Sequence, residues 1–552
     1  MTAAAVTGCG SLDSDSPAGI QLPVHLVDVS LASGIDFEHY NGATGQYFYV
    51  ETFGSGAAFL DQDGDGWLDV YLVNGTFLSG LPPQEPPRNQ LYRNRLSDGA
   101  GADRDFVDVT EETGSGDARY GLGCAIADWD NDGDADLYVS NFGRNTLYRS
   151  VDGESGRRFR DVTDSTLTGD ERFASSTGFL DYDLDGDLDL FVVNYVDFRT
   201  TRNVICKSGK VRTYCDPDEF EPVGDVLFQN DGPGQPFVDV TEEAGVGQKG
   251  RGLGVAFSDY DDDGDTDVYV ANDGTMNFLY ENRRGTFTDV GLQVGGRYND
   301  DGRAEAGMGV DFGDYDGDGH QDVFVTNFSR ETNTLYRNTG EGEFADITTM
   351  AGLTKPSFLP LGFGTRFVDI DNDGDLDLTV ANGHVLDRIA EVDKDLSYPQ
   401  PDQLFRNHDS EFVDVLDVAG IDLRRPAVGR GLATGDFDND GDLDLLITNE
   451  ASRPHLLRND GGNQGNWLLI SLIGDPQCDA LGARVEVEVE GRVLVRERQS
   501  GGSYLSSHDP RLHFGLGFAR SARVRVHWPD GSVTTRENVT ANQILQIAQN
   551  AG

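Results

Sequence analysis

Seven segments of this chain place aspartate at positions 1, 3, 5 and 9 of a short loop, with glycine at position 6. They are Asp61, Asp63, Asp65 and Asp69; Asp128, Asp130, Asp132 and Asp136; Asp181, Asp183, Asp185 and Asp189; and Asp259, Asp261, Asp263 and Asp267. Three more follow: Asp314, Asp316, Asp318 and Asp322; Asp369, Asp371, Asp373 and Asp377; and Asp436, Asp438, Asp440 and Asp444. Acids at positions 1, 3 and 5 can wrap one hard cation if a glycine at position 6 allows the sharp turn, and the ninth-position acid can close the shell. Calcium takes six to eight oxygens at about 2.3–2.6 Å, whereas magnesium keeps more of its water, and the loops hold no partnered His or Cys that would suit zinc. A lone Asp-Gly-Asp turn would read as a solubilising hairpin. Seven complete copies read as about seven structural calcium ions.

The elements around each loop explain its placement. A Gly-rich apolar segment precedes it (Gly121-Leu-Gly-Cys-Ala-Ile-Ala127), and a β-branched run follows (Leu68-Asp-Val-Tyr-Leu-Val73). Both read as strands. Position 12, where an EF-hand needs Glu, falls in that second strand, at Leu72 in the first copy, so these are strand–loop–strand sites. A third strand signal is Leu91-Tyr-Arg-Asn94 and a fourth is Phe106-Val-Asp-Val-Thr110; both recur through the chain. Four short strands per unit, with loops 53–78 residues apart, predict an all-β, seven-bladed β-propeller over residues 25–462. Its first strand signal, Leu26-Val-Asp-Val-Ser30, is of the fourth type, so it should complete the last blade. The Asn that ends each second strand (Asn74, Asn141, Asn194, Asn272, Asn327, Asn382 and Asn449) recurs like a turn residue serving local backbone groups.

Composition narrows the partners. With 96 acidic and 43 basic residues the formal charge is −53, which disfavours nucleic acid and anionic membranes. No apolar run reaches the roughly 18–20 residues of a transmembrane helix. Residues 1–24 form a polar leader in which Val6-Thr7-Gly8-Cys9 has the pattern of a lipoprotein cleavage box, so a lipid anchor at Cys9 is the expectation.

The Asp loops between Gly-x-Gly and Phe-x-Asp-Val-Thr strands resemble FG-GAP/VCBS repeats, the repeats of integrin α-subunit propellers. The tail motifs Gly482-Ala-Arg-Val485, Ser500-Gly-Gly-Ser-Tyr-Leu505, Asp509-Pro-Arg-Leu-His-Phe-Gly-Leu-Gly517 and Val526-His-Trp-Pro-Asp-Gly531 resemble the ASPIC/UnbV domain. Together they are similar to bacterial relatives of cartilage acidic protein. Animal members are secreted matrix proteins and some bacterial members belong to enediyne biosynthesis, so the resemblance implies fold and an exported location more than an activity. Strand signals over 463–552, after a Gly-rich joint, independently predict a separable β-rich C-terminal domain.

Features that occur once are where a specific function should lie. Connections between second and third strands are long at 74–89, 194–225 and 382–402, and a long linker spans 291–306. They should open on the face opposite the Asp loops, and loops of that length are commonly functional. Cys206 and Cys215 are expected to form a disulfide there, with free thiols or a metal site as alternatives. Arg212, Tyr214, His384 and Arg388 are the candidate ligand or catalytic residues, and the two arginines suggest an anionic or aromatic ligand. The favoured reading is an exported calcium-binding module, extracellular, periplasmic or surface-anchored and monomeric, that binds a protein, glycan or small molecule. The alternative is an enzyme of secondary metabolism using the same pocket. No nucleophile elbow, phosphate loop or HExxH segment is present.

Overall fold

Each Asp loop closes an antiparallel hairpin in a fixed register. In a computed structural model describing residues 24–78, 85–98, 105–153, 156–416, 419–420, 422–475 and 478–549, the residue before the loop pairs with the ninth-position aspartate. The pairs are Leu60 with Asp69, Ala127 with Asp136, Leu180 with Asp189, Ser258 with Asp267, Gly313 with Asp322, Val368 with Asp377 and Gly435 with Asp444. The hairpins grow into seven four-stranded antiparallel sheets of one repeated order. The first sheet is Ala57–Leu60, Asp69–Leu72, Gln90–Asn94 and Phe106–Asp108.

The last of the seven holds Gly429–Gly435, Asp444–Asn449 and His455–Asn459, and takes its fourth strand from the start of the chain, Leu26–Asp28. Leu26 pairs with Asn459 and Asp28 with Leu457. First strands touch their neighbours all the way round, including Ala57–Leu60 against Gly429–Gly435, so the arrangement is a closed, β-propeller-like ring. Apolar clusters fill the spaces between consecutive sheets. One joins Ala58, Leu60 and Tyr71 to Cys124, Ile126 and Leu137, and another seals first to last through Phe59, Val70, Ala433 and Leu446. Burying such faces against each other is what makes a repeat stable only in an array.

The fourth-strand motif ends sooner than its sequence suggests. Phe106–Asp108 is a strand, but Thr110–Thr113 is a single helical turn. The Asp108 carboxylate accepts from the Thr110 N–H, bending the chain, and the Thr110 hydroxyl accepts from the Leu91 N–H. Asp161 with Thr163 and Asp239 with Thr241 repeat this. In the ring-closing strand Ser30 does the same work for Leu456.

The C-terminal unit has two sheets. One is Leu512–Gly517, Asn466–Ile473 and Gln543–Ala548; the other is Arg492–Glu497, Arg484–Val489, Ser521–His527 and Val533–Thr540. They enclose a core of their own with Leu468, Val485, Val487, Phe514, Val524 and Val526. The unit also interlocks with the ring. Its segment 500–507 runs into the central channel, where Ser503 exchanges backbone hydrogen bonds with Val310, Leu505 N donates to the Ser176 hydroxyl and Ser507 N to the Ala57 carbonyl. Small residues on the first strands make room: a Cβ at Gly56 would lie 1.6 Å from the Leu505 carbonyl oxygen. The Cys9 motif lies outside the described residues, and among those described no helix is long and apolar enough to cross a membrane.

Candidate functional site

The Asp loops share one geometry. The position-6 glycines, Gly66 to Gly441, have φ of 86–99°, which a side chain would strain. Position 4 is left-handed as well, at Gly64, Asn131, Leu184, Asp262, Gly317, Asn372 and Asn439. The preference of Gly, Asn and Asp for this region was a legible signal that the aspartate spacing overshadowed. The first aspartate gathers the loop's own N–H groups: Asp61 accepts from Gly64, Asp65 and Gly66, Asp128 from Asp132 and Gly133, and Asp436 from Asp440 and Gly441. The ninth-position acid is buried and staples strands together, as Asp69 does by accepting from Gln62 N and Asn94 N.

The third-position acids are the least satisfied, though Asp314, Asp369 and Asp136 also carry a partnerless oxygen among the described residues. An oxygen of Asp63, Asp130, Asp183, Asp261, Asp371 and Asp438 is buried without a hydrogen-bond partner among the described residues. Oxygens of three acids converge within 4.8 Å in Asp61–Asp63–Asp65, Asp128–Asp130–Asp136, Asp181–Asp183–Asp189, Asp259–Asp261–Asp263 and Asp314–Asp316–Asp322. Burial, reinforced by these like charges, pushes Asp130, Asp181, Asp261 and Asp438 up to about 6, Asp128 to about 7 and Asp436 to about 8. Some third strands supply an arginine, as Arg337 to Asp316 at 3.0 Å and Arg406 to Asp371 at 2.8 Å. A crowd of partly buried, partly unsatisfied carboxylates of this kind could hold a hard divalent cation.

The C-terminal unit sits on this face. Gly515 N donates to Asp369 Oδ2 at 3.0 Å, Arg511 donates to the Asp436 carbonyl and Asn439, Arg484 to Asp262 and the Gly319 carbonyl, and Arg492 to Asp375.

At the other end of the channel lies a cavity of about 830 Å³. The insertion at 204–219 forms one wall, Ala306 and residues 385–386 contribute others, and Tyr504 of the C-terminal segment reaches its floor. Cys206 and Cys215 are joined by a disulfide that closes the hairpin of Cys206–Ser208 and Val211–Thr213. Of the four candidate residues only Tyr214 lines the cavity, with its hydroxyl donating to Glu51 at 2.9 Å. Arg212 instead ties the insertion to the Gly45 and Gln46 carbonyls and lies over the Tyr47 ring. His384 is fully buried, burial pulls it down to about 4, and its Nδ1 accepts from Leu386 N. Arg388 pairs with Glu391 at the surface. The positive charge expected at the mouth is not supplied by Arg212 or Arg388; the lining holds Asp216, Asp218, Glu219, Asp273 and Glu331 with two cations, Lys207 and Arg251.

Several lining residues escaped the sequence reading. Tyr195, Asp273 and Phe328 each follow the repeated Asn of a second strand, and Leu253, Met308 and Phe363 each fill the middle of a Gly-x-Gly segment. A variable residue inside a repeating frame was the available signal. The Asn series itself behaves as turn chemistry: the side-chain amides of Asn141 and Asn327 donate to the Arg144 and Thr332 carbonyls, and their own backbone N–H groups are held by Asn145 and Asn333.

Comparison with known proteins agrees with this architecture. FG-GAP-like repeat sequences match over residues 61–139, 128–192, 259–325 and 314–380, an FG-GAP repeat over 428–466, and the family described as ASPIC and UnbV over 474–552. Cartilage acidic protein 1 of Homo sapiens is 25% identical over 496 residues, covering 78% of this chain and 73% of that protein. The Mus musculus protein is 28% identical over 318 residues, covering 56% of this chain and 47% of its own length. A rhamnogalacturonan lyase aligns at a TM-score of 0.37 and 13% identity, over 79% of this chain and 75% of its own, too distant a likeness to carry function.

Proposed function

As a member of the FG-GAP-repeat proteins that carry a C-terminal ASPIC and UnbV domain, this chain is, we propose, an exported, monomeric, calcium-stabilised seven-bladed β-propeller that acts as a binding module through the cavity opposite its Asp loops. One contrast supports this reading. What repeats around the ring converges on cation loops with buried, unpartnered carboxylate oxygens, whereas what occurs once converges on the cavity. Repeated features serve the ring. Singular ones are free to serve a ligand, and concave sites between loops are where ligands bind. The Cys206–Cys215 disulfide fits an oxidising compartment outside the cytoplasm.

Four acids per loop would hold each ion: Asp61, Asp63, Asp65 and Asp69 in the first and their counterparts in the others. Bound calcium would supply the charge that lets these carboxylates stay ionised side by side. Equilibrium dialysis of the full chain against calcium tests the assignment, with about seven ions per chain expected from the seven loops. Uptake of none, or equal retention of magnesium at equal concentration, would remove calcium from this reading.

A further inference from the structure

We infer that the cavity opposite the Asp loops accepts an organic ammonium with an apolar or aromatic body; this rests on the binding role proposed for that face. The floor supplies the apolar half. Tyr49, Phe53, Tyr195, Phe363 and Tyr504 line it, with Tyr49 and Tyr195 stacked at 5.9 Å between ring centroids. At the rim the disulfide hairpin carries Val204 and Ile205, 39% and 66% exposed, so apolar surface continues to the mouth. Aromatic faces attract cations through the negative potential of the ring, and more strongly where water is displaced.

The charged half comes from Asp216, Asp273 and Glu331. The Tyr49 and Tyr195 hydroxyls lie 2.8 Å apart, and Tyr195 donates onward to Asp273 Oδ2, which fixes that carboxylate at the aromatic wall. Burial pushes the Asp273 carboxyl up to about 6; the Tyr195 hydroxyl and the Arg251 guanidinium draw it down, while the negative charges of Asp216 and Glu331 push it up, so Asp273 feels like-charge repulsion from both acids. Arg251 is the nearby counter-charge; it acts on Asp273 and also pairs with Asp218 at 2.7 Å, so one cation is shared among several acids. Lys207 lines the cavity from its exposed rim, where it leaves the acids at Asp216, Asp273 and Glu331 in excess. A ligand bearing a positive group would relieve this repulsion, whereas a carboxylate or phosphate would add to it. The −53 charge of the whole chain also draws cations to the surface and repels anions.

The test uses the full chain with calcium saturating, so that the Asp loops do not compete. Isothermal titration calorimetry compares three ligands of one shape: 3-phenylpropylammonium, 3-phenyl-1-propanol and 3-phenylpropionate. The ammonium should bind at least about tenfold more tightly than the alcohol, and the carboxylate least of all. Asp273→Asn and Asp216→Asn keep the oxygens that accept from Tyr195 and from the Asp218 N–H, so both variants should fold. Each should weaken the ammonium by about tenfold and leave the alcohol unchanged. Equal binding of ammonium and alcohol, or tighter binding of the carboxylate, would overturn the inference. A neutral glycan array run in parallel separates two kinds of failure. Glycan binding that is lost in Asp273→Asn keeps the cavity as the binding site and discards the ammonium. No binding of any probe discards both.

Discussion

The two faces of the ring are built from the same strands and solve opposite problems. On one, the loops repeat in type and geometry, carry unsatisfied carboxylates and lie partly beneath the C-terminal unit, whose Arg484, Arg492 and Arg511 rest on them. On the other, second-to-third connections differ in length and composition and enclose a cavity with an aromatic floor and an acidic rim. Both faces are acidic, yet the acids differ in what they answer to. Those in the loops stand at fixed spacing around a point, while those at the cavity face an open volume large enough for a molecule. Geometry, more than charge, separates the two clusters of acids in this chain.

The sharpest way to break the comparison is to withhold the calcium proposed for the loops. At a hundredfold excess over the dissociation constant each occupied loop adds roughly 2.7 kcal/mol, so calorimetry with a chelator should show a large drop in melting temperature. An unchanged transition would make the loops mere turns. Next in size is the channel segment: Leu505→Ala removes a side chain that is 1% exposed and should cost about 2–5 kcal/mol by denaturant titration. A chain ending at residue 465 should likewise melt below the full chain. If it melts at the same temperature, the C-terminal unit only covers the loop face and does not stabilise the ring.

A smaller effect probes the opposite face. Where four sheets hold the end of the second strand with Asn89, Asn145, Asn277 or Asn333, two use the buried acids Asp225 and Asp402. Burial pushes Asp225 up to about 8, far above its value in the unfolded chain. Between about pH 4 and pH 8 the folded side chain holds a proton that the unfolded one has released, so stability falls as pH rises through that window. Asp225→Asn keeps the acceptor and removes the titration. In thermal melts with calcium present it should raise stability by about 1–3 kcal/mol at pH 8 and make little difference near pH 4. Smallest for the ring is the disulfide. The double variant Cys206→Ser and Cys215→Ser should shift ring stability by less than about 1 kcal/mol, while limited proteolysis within 204–219 accelerates. A large loss of melting temperature would show that the insertion supports the ring as well as the cavity.

What repeats was readable. Seven loops, four strand signals and a stray fourth-strand signal at Leu26 were enough to expect a closed ring with a shared last sheet, because each repeat constrains the others. The cavity was less legible for the converse reason. Arg212 and Arg388 stood out as cations in an acidic chain, but their partners, the Gly45 and Gln46 carbonyls and Glu391, are set by the folded chain and by a local helical turn. Asp273 lies far from the insertion in sequence, and only the ring brings it opposite Asp216. The course of Ser500-Gly-Gly-Ser-Tyr-Leu505 through the channel was equally out of reach, since nothing in a short Gly/Ser-rich turn announces which surface it will enter.

The strand Leu26–Asp28 precedes every other strand of the ring in sequence and is the last to find its partner. Its mate, His455–Asn459, emerges only after six complete sheets have been made, so the ring cannot shut during most of translation. Until then the first sheet lacks its neighbour, and Phe59 and Val70 await Ala433 and Leu446. Contacts this distant in sequence are slow to form, and the waiting edges are exposed to wrong pairings. The latch therefore orders assembly: a chain interrupted before residue 455 has no partner strand for Leu26–Asp28, and the ring cannot close.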